Sequence, residues 1–127
     1  MASRTFHFTT TASTSPVPVG NAGTDAMITG YEMSNVAATA MFVKFYWGNN
    51  TNFSSSNDVP TVGTDTPAWT VPLPSGSTTA PARVYMSWPQ DSGPRGKGVL
   101  FMAVTGAQAD SDTSNPAAGA VISVSYM

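Results

Sequence analysis

The chain has no cysteine, a single histidine, and charged residues at only 9% of its 127 positions. Each shortage closes a class of function. Without thiols there is no disulfide scaffold, no zinc ribbon and no cysteine nucleophile. An average soluble domain carries roughly 25% charged residues, so this surface must draw its polarity from Ser, Thr, Asn and Gly instead. Five Lys and Arg dispersed along a chain of net charge −2 cannot neutralise a run of phosphates, so no nucleic-acid partner is expected. No stretch approaches the roughly 18 apolar residues that span a bilayer. The opening MASRTFHFTTTASTSP also has no apolar segment behind a basic start. The expectation is a protein made and used without crossing a membrane by itself.

What is present argues for a folded, assembling protein. Hydrophobic residues make up 41% of the chain, with three Trp, six Phe and four Tyr. Disorder usually requires low hydrophobicity combined with high net charge. A chain of this length fits one domain, residues 1–127, able to bury roughly two-thirds of the surface that its unfolded form exposes. A surface with few charges offers weak repulsion between copies, which favours association.

Alternating apolar and polar residues, rich in β-branched and aromatic types, recur along the chain between Gly, Pro, Asn and Asp clusters. The pattern predicts strands near Arg4 to Thr10, Met27 to Ser34, Ala68 to Leu73, Ala82 to Trp88, Lys97 to Thr105 and Ala120 to Tyr126. A seventh lies in ATAMFVKFYWG, where Met41, Val43, Phe45 and Trp47 share one face and Phe42, Lys44 and Tyr46 the other. Both faces are largely apolar, so this strand is central or has its second face covered by a partner. No window sustains helical periodicity over three turns, and ten prolines are scattered through the chain. The expected fold is all-β, an antiparallel β-sandwich or jelly-roll-like barrel with little helix.

The turns GNN at Gly48 to Asn50, DSGPRGKG at Asp91 to Gly98 and SNPAAG at Ser114 to Gly119 supply residues that tolerate positive φ or fix it near −65°. Two segments are not simple strands. TASTSPVPVGNAGTD, Thr11 to Asp25, reads as a loop over the sandwich or an arm reaching a neighbour. DVPTVGTDTPAWTVPLPSGS, Asp58 to Ser77, contains Pro60, Pro67, Pro72 and Pro74. Proline cannot donate to a sheet ladder, so Trp69 to Leu73 is expected as an edge strand after an ordered extended loop.

Groups suited to catalysis are scarce. His7 sits between two phenylalanines on a predicted strand and reads as a polar-face residue. Asp110 and Asp112 are the one close carboxylate pair. The residues after them lack the glycine and terminal acid of a helix-loop-helix calcium site, so a turn closed by its own Asx side chains is the default. GPRGKG, Gly93 to Gly98, lacks the Gly-Lys-Ser/Thr ending of a phosphate loop and precedes a strand, so it reads as a hairpin connection. Trp47, Trp69 and Trp88, with Tyr31, Tyr46, Tyr85 and Tyr126, suit either a core or stacking on sugars. The seven methionines fit core filling or an adaptable contact surface equally well.

The strings GYEMSNVAATAMFVKFYW, PTVGTDTPAWTVPLP, GKGVLFMAVTGAQADSDTS and GAVISVSYM, in that order, resemble small virion-associated proteins of tailed bacteriophages. The resemblance runs from about Gly30 to Met127 and is most specific over Val59 to Pro67. It implies a capsid decoration or cement protein, or alternatively a head or tail fibre module that binds a host-surface glycan or receptor. It carries over no active site, cofactor or metal. The implied location is the exterior of the capsid, after synthesis in the host cytoplasm. The implied partners are the major capsid protein and further copies of the chain, as a trimer or dimer.

MFVKFYW is more aromatic than the family pattern requires and reads as a buried contact with another subunit. A proline-stiffened loop has little freedom left to lose on docking. The expected contact residues are therefore Val59, Pro60, Val62, Pro67, Trp69 and Pro72, joined by Pro16 and Pro18 from the arm. Trp69 is the expected anchor, able to bury of order 150–250 Å².

Overall fold

The structure, a computed structural model, describes residues 4–20, 25–49, 52–54, 58–89 and 92–127. Eight strands form in chain order: β1 (Arg4–Thr9), β2 (Val17–Pro18), β3 (Ile28–Asn35), β4 (Met41–Gly48), β5 (Trp69–Leu73), β6 (Ala82–Ser87), β7 (Val99–Thr105) and β8 (Val121–Tyr126). They pair antiparallel into two four-stranded sheets, β1-β8-β3-β6 and β2-β7-β4-β5. Among these strands every sequential connection except β4 to β5 passes to the other sheet, which is the strand order of a jelly roll. The described residues contain no helix.

The two sheets stack their apolar faces on one another. Tyr31, Met33, Ile122 and Val124 come from one sheet, and Met41, Val43, Phe45, Leu73, Leu100 and Met102 from the other. Period-two alternation puts these side chains inward because each strand has one face toward the partner sheet. Met27, Met33, Met41 and Met102 are fully buried, so they fill the core, whereas Met86 is exposed on an edge.

Both prolines placed in strands lie on edges, where no ladder donor is missing. Pro72 is exposed on β5, opposite Phe42, and Pro18 is exposed on β2, opposite Phe101. The segment before β3 reads better as a loop on its own sandwich than as an arm. Val17 pairs with Met102, Val19 is fully buried, and its N–H donates to the Leu100 carbonyl. Residues 21–24 of that segment, Asn50 of the GNN turn and Asp91 lie outside the described residues.

One turn differs from the sequence expectation. GPRGKG is not a hairpin connection, because it joins β6 and β7, which belong to different sheets. It crosses the end of the sandwich beside β3, where Ile28 N–H donates to the Pro94 carbonyl and Arg95 bridges Met27. Turn composition reports where a chain bends but not which sheet the next strand joins.

Candidate functional site

The outer face of β4 and β7 is covered, and the cover comes from the chain itself. Tyr46, Phe101 and Ala103 form a second apolar cluster, closed by Phe53, Val59, Val62 and Val99. Phe53 meets Phe101 edge to face at 6.0 Å. The crowded aromatic strand is therefore covered by Phe53, Val59 and Val62 of its own chain.

Two loops build this cover. Asp65 organises the first: its carboxylate accepts from the backbone N–H of Ser54 (2.8 Å) and of Thr61 (2.6 Å). Asp112 organises the second, accepting from the Ser114 hydroxyl (2.6 Å) and from the N–H groups of Ala107 and Ser114. The Ser114 hydroxyl, then those backbone donors and the Lys44 charge, hold the Asp112 carboxyl below its usual range. Asp112 thus closes its own Asx turn, and no group of three or more metal-ligating side chains occurs among the described residues. The loops touch at Gly63, whose φ is 90° and where a Cβ would collide with Thr113.

Beneath them lie two buried polar groups that sequence reading did not place. Lys44 is fully buried, and its Nζ donates to the Ala109 carbonyl at 2.6 Å. Burial lowers its pKa, opposed by the charges of Asp112 and Asp110. Tyr46 is 1% exposed, and its hydroxyl is the one buried side-chain polar atom among the described residues with no hydrogen-bond partner. Burial first, then the nearby Asp110 and Asp65 charges, push its pKa up to about 12.

The outer face of the other sheet is open. Register aligns three rows across it: His7–Ser123–Glu32–Tyr85, Thr5–Ser125–Gly30–Ser87 and Thr9–Val121–Ser34–Arg83. Half of these residues are serine or threonine. Its two opposite charges sit together, Arg83 to Glu32 at 4.0 Å. His7 Nδ1 lies 2.8 Å from the Ser123 hydroxyl on this exposed surface, as its strand pattern predicts. Tyr85, 71% exposed, stands at the β6 edge.

At one end of the sandwich all three tryptophans converge on an open cleft of about 740 Å³. Trp47 comes from β4, Trp69 from the start of β5 and Trp88 from just beyond β6, with Arg95 and Lys97 on the crossing to β7. Trp69 and Trp88 meet at 5.1 Å with their planes 68° apart, and Tyr31 packs against both, at 5.8 and 5.9 Å. Gly96 lies against the Trp47 ring, where any Cβ would clash. No family model matches the chain, and no curated protein matches it either.

The residues expected to contact partners are not gathered in one place. Val59 and Val62 pack inward on the second cluster, and Pro60 and Pro67 are buried within their own chain. Trp69 is partly buried at the cleft. Pro72 and Pro18 are exposed on the two edges of one sheet, and Pro16 is partly buried beside β2. Of the Asp58 to Ser77 segment, Val59 and Val62 thus help cover β4, while Trp69–Leu73 pairs beside β4 as an edge strand. The open hydroxyl face and the convergence of the tryptophans were not read from the sequence. Only alternation carried a signal for the first, and nothing local carried one for the second.

Proposed function

We propose that this chain is a non-enzymatic structural protein of a tailed-bacteriophage virion, a decoration or cement protein. It binds the exterior of the assembled shell across junctions of the major capsid protein, as a homo-oligomer. The observation that carries this reading is the open, near-uncharged hydroxyl face of β1-β8-β3-β6, set beside a twin face that the chain covers for itself. Short side chains have little rotamer freedom to lose on docking, and Tyr85 offers the kind of aromatic anchor that interfaces favour.

Four strands about 4.8 Å apart and six residues long present roughly 400 Å², about half of what one partner gives to a standard interface. One copy would hold weakly, so oligomerisation and the repeating lattice supply avidity. The same sheet leaves β1 and β6 as edges without proline, while β2 and β5 each carry one, so copies have edges on which to pair. A protein that binds only the intact lattice stabilises it by about 2.7 kcal/mol per site at a hundredfold excess over Kd. Jelly rolls serve in viral capsid and in lectin domains, an analogy of fold alone. The other reading, a fibre module for a host-surface glycan or receptor, draws on the tryptophan cleft rather than on the open sheet.

Co-sedimentation with empty shells tests the proposal, with isolated capsid subunits as the control. Saturable binding to shells alone is expected, and Ser123→Arg, in the middle of the open face, should abolish it. Absence of shell binding, or binding unaffected by that substitution, overturns the reading.

A further inference from the structure

Among the described residues lining the tryptophan cleft, the only charged side chains are cationic. Trp47 Nε1 is spent on the Ala26 carbonyl at 2.8 Å. The Asn52 amide donates to Trp47 O and accepts from the Asn49 N–H, and the Ser92 hydroxyl donates to the Pro89 carbonyl. Trp69 and Trp88, both only partly buried, have ring contacts but no hydrogen-bond acceptor among the described residues. Arg95 and Lys97 are exposed, and the one ion pair among the described residues is Arg83–Glu32, on the open face. Arg95 makes only a long contact, 3.8 Å, to the Met27 sulfur.

No described carboxylate lines the cleft. Asp25, in the adjoining dent beside Arg95 and Lys97, accepts from the Gly98 N–H. Among the described side chains the cleft offers a ligand two indole N–H groups, a guanidinium and an ammonium as donors, with the Ser92 oxygen as an acceptor. Two steeply inclined aromatic walls stand beside them, packed against Tyr31 and against Phe45, the latter 6.1 Å from Trp69. The cleft volume falls within the roughly 300–1,000 Å³ of ordinary ligand sites.

From this geometry we infer that the cleft binds an acidic saccharide, a uronate- or sulfate-bearing sugar whose ring lies on Trp69 and Trp88 and whose anion meets Arg95 and Lys97. A sugar ring supplies an apolar C–H face for the indoles and acceptor oxygens for their N–H groups. The anion matches the one place among the described residues where two unpaired cations stand two positions apart. A neutral sugar leaves both cations without a partner, and charge complementarity therefore selects the acidic one. The inference concerns the cleft alone and does not rest on shell binding.

The test is a tryptophan-fluorescence titration of the full chain with tetragalacturonate and with a sulfated chondroitin tetrasaccharide. Fully methyl-esterified tetragalacturonate and an acidic proline-rich peptide serve as comparisons. Saturable quenching by at least one acidic saccharide is expected, weakened by added salt, with the ester binding roughly tenfold or more less tightly. Arg95→Gln with Lys97→Gln should reduce affinity for the acidic probe by a similar factor while leaving thermal unfolding unchanged, since both side chains are exposed. Trp69→Phe should weaken acidic and neutral probes together. Three results overturn the inference: no response to either acidic saccharide, equal affinity for the ester, or tighter binding of the peptide.

Discussion

The two outer faces of this sandwich come from equal numbers of strands, yet one is sealed and the other open. Over β4 and β7 the chain lays two loops, buries Tyr46, Phe101 and Ala103, and carries Lys44 down with them. Over β8 and β3 none of the described segments is laid, and Ser123, Ser125, Ser34 and Glu32 face outward. The difference follows from side-chain chemistry. Alternate residues of β4 are apolar on both faces and must be covered, whereas the outward residues of β8 are already satisfied by water.

The largest expected contrast is between two aromatic truncations. Phe101→Ala, in the sealed cluster, should cost about 3–5 kcal/mol by denaturant unfolding, while Tyr85→Ala on the open face should fall within about 0.5 kcal/mol. Similar costs for the two would mean that the cover is not a packed second core.

Alkaline pH probes the same seal. Tyr46 has its pKa raised from 10.0 to about 12, so the native state keeps this proton after the unfolded chain has lost it. Stability from this group is complete below pH 10 and falls as pH rises through 12. By linkage the loss is roughly 3 kcal/mol. Tyr46→Phe should flatten the alkaline limb, and because the hydroxyl has no partner it should not destabilise the protein at neutral pH.

Gly63→Ala combines a positive φ with a clash against Thr113. It should cost about 1–3 kcal/mol, visible as faster amide exchange in both covering loops. A milder effect is expected for Lys44→Met. This substitution gives up the hydrogen bond to Ala109, whose residue is exposed and can turn to water, and removes a buried ammonium. A change within about 1 kcal/mol is expected in equilibrium unfolding. A loss of several kcal/mol would show that the charge, rather than the stem, holds the loop.

Strand positions were legible to within a few residues because alternation and turn chemistry are local signals. The edge location of β5 was equally plain from Pro72, which has no N–H to give to a ladder. The sealed face was only half legible. MFVKFYW announces two apolar faces, but a partner's surface and the chain's own Phe53, Val59 and Val62 satisfy that pattern equally well. Alternation puts Lys44 on the second face of β4, but the partner that accepts its hydrogen bond is a carbonyl 65 positions away. The cleft was not legible at all, since Trp47, Trp69 and Trp88 are separated by about twenty residues each and meet only because the end of β4, the start of β5 and the end of β6 lie near one another.

By itself, then, the sequence determined an all-β chain, the number and limits of its long strands, and a surface of hydroxyls rather than charges. These follow from period-two patterning, proline and glycine placement and composition, which act over a few residues. The tertiary structure alone decided which sheet each strand joined, which face was sealed and which left open, and that three distant indoles share one cleft. Those outcomes depend on contacts between segments far apart in the chain, whose pairing no short window of sequence encodes.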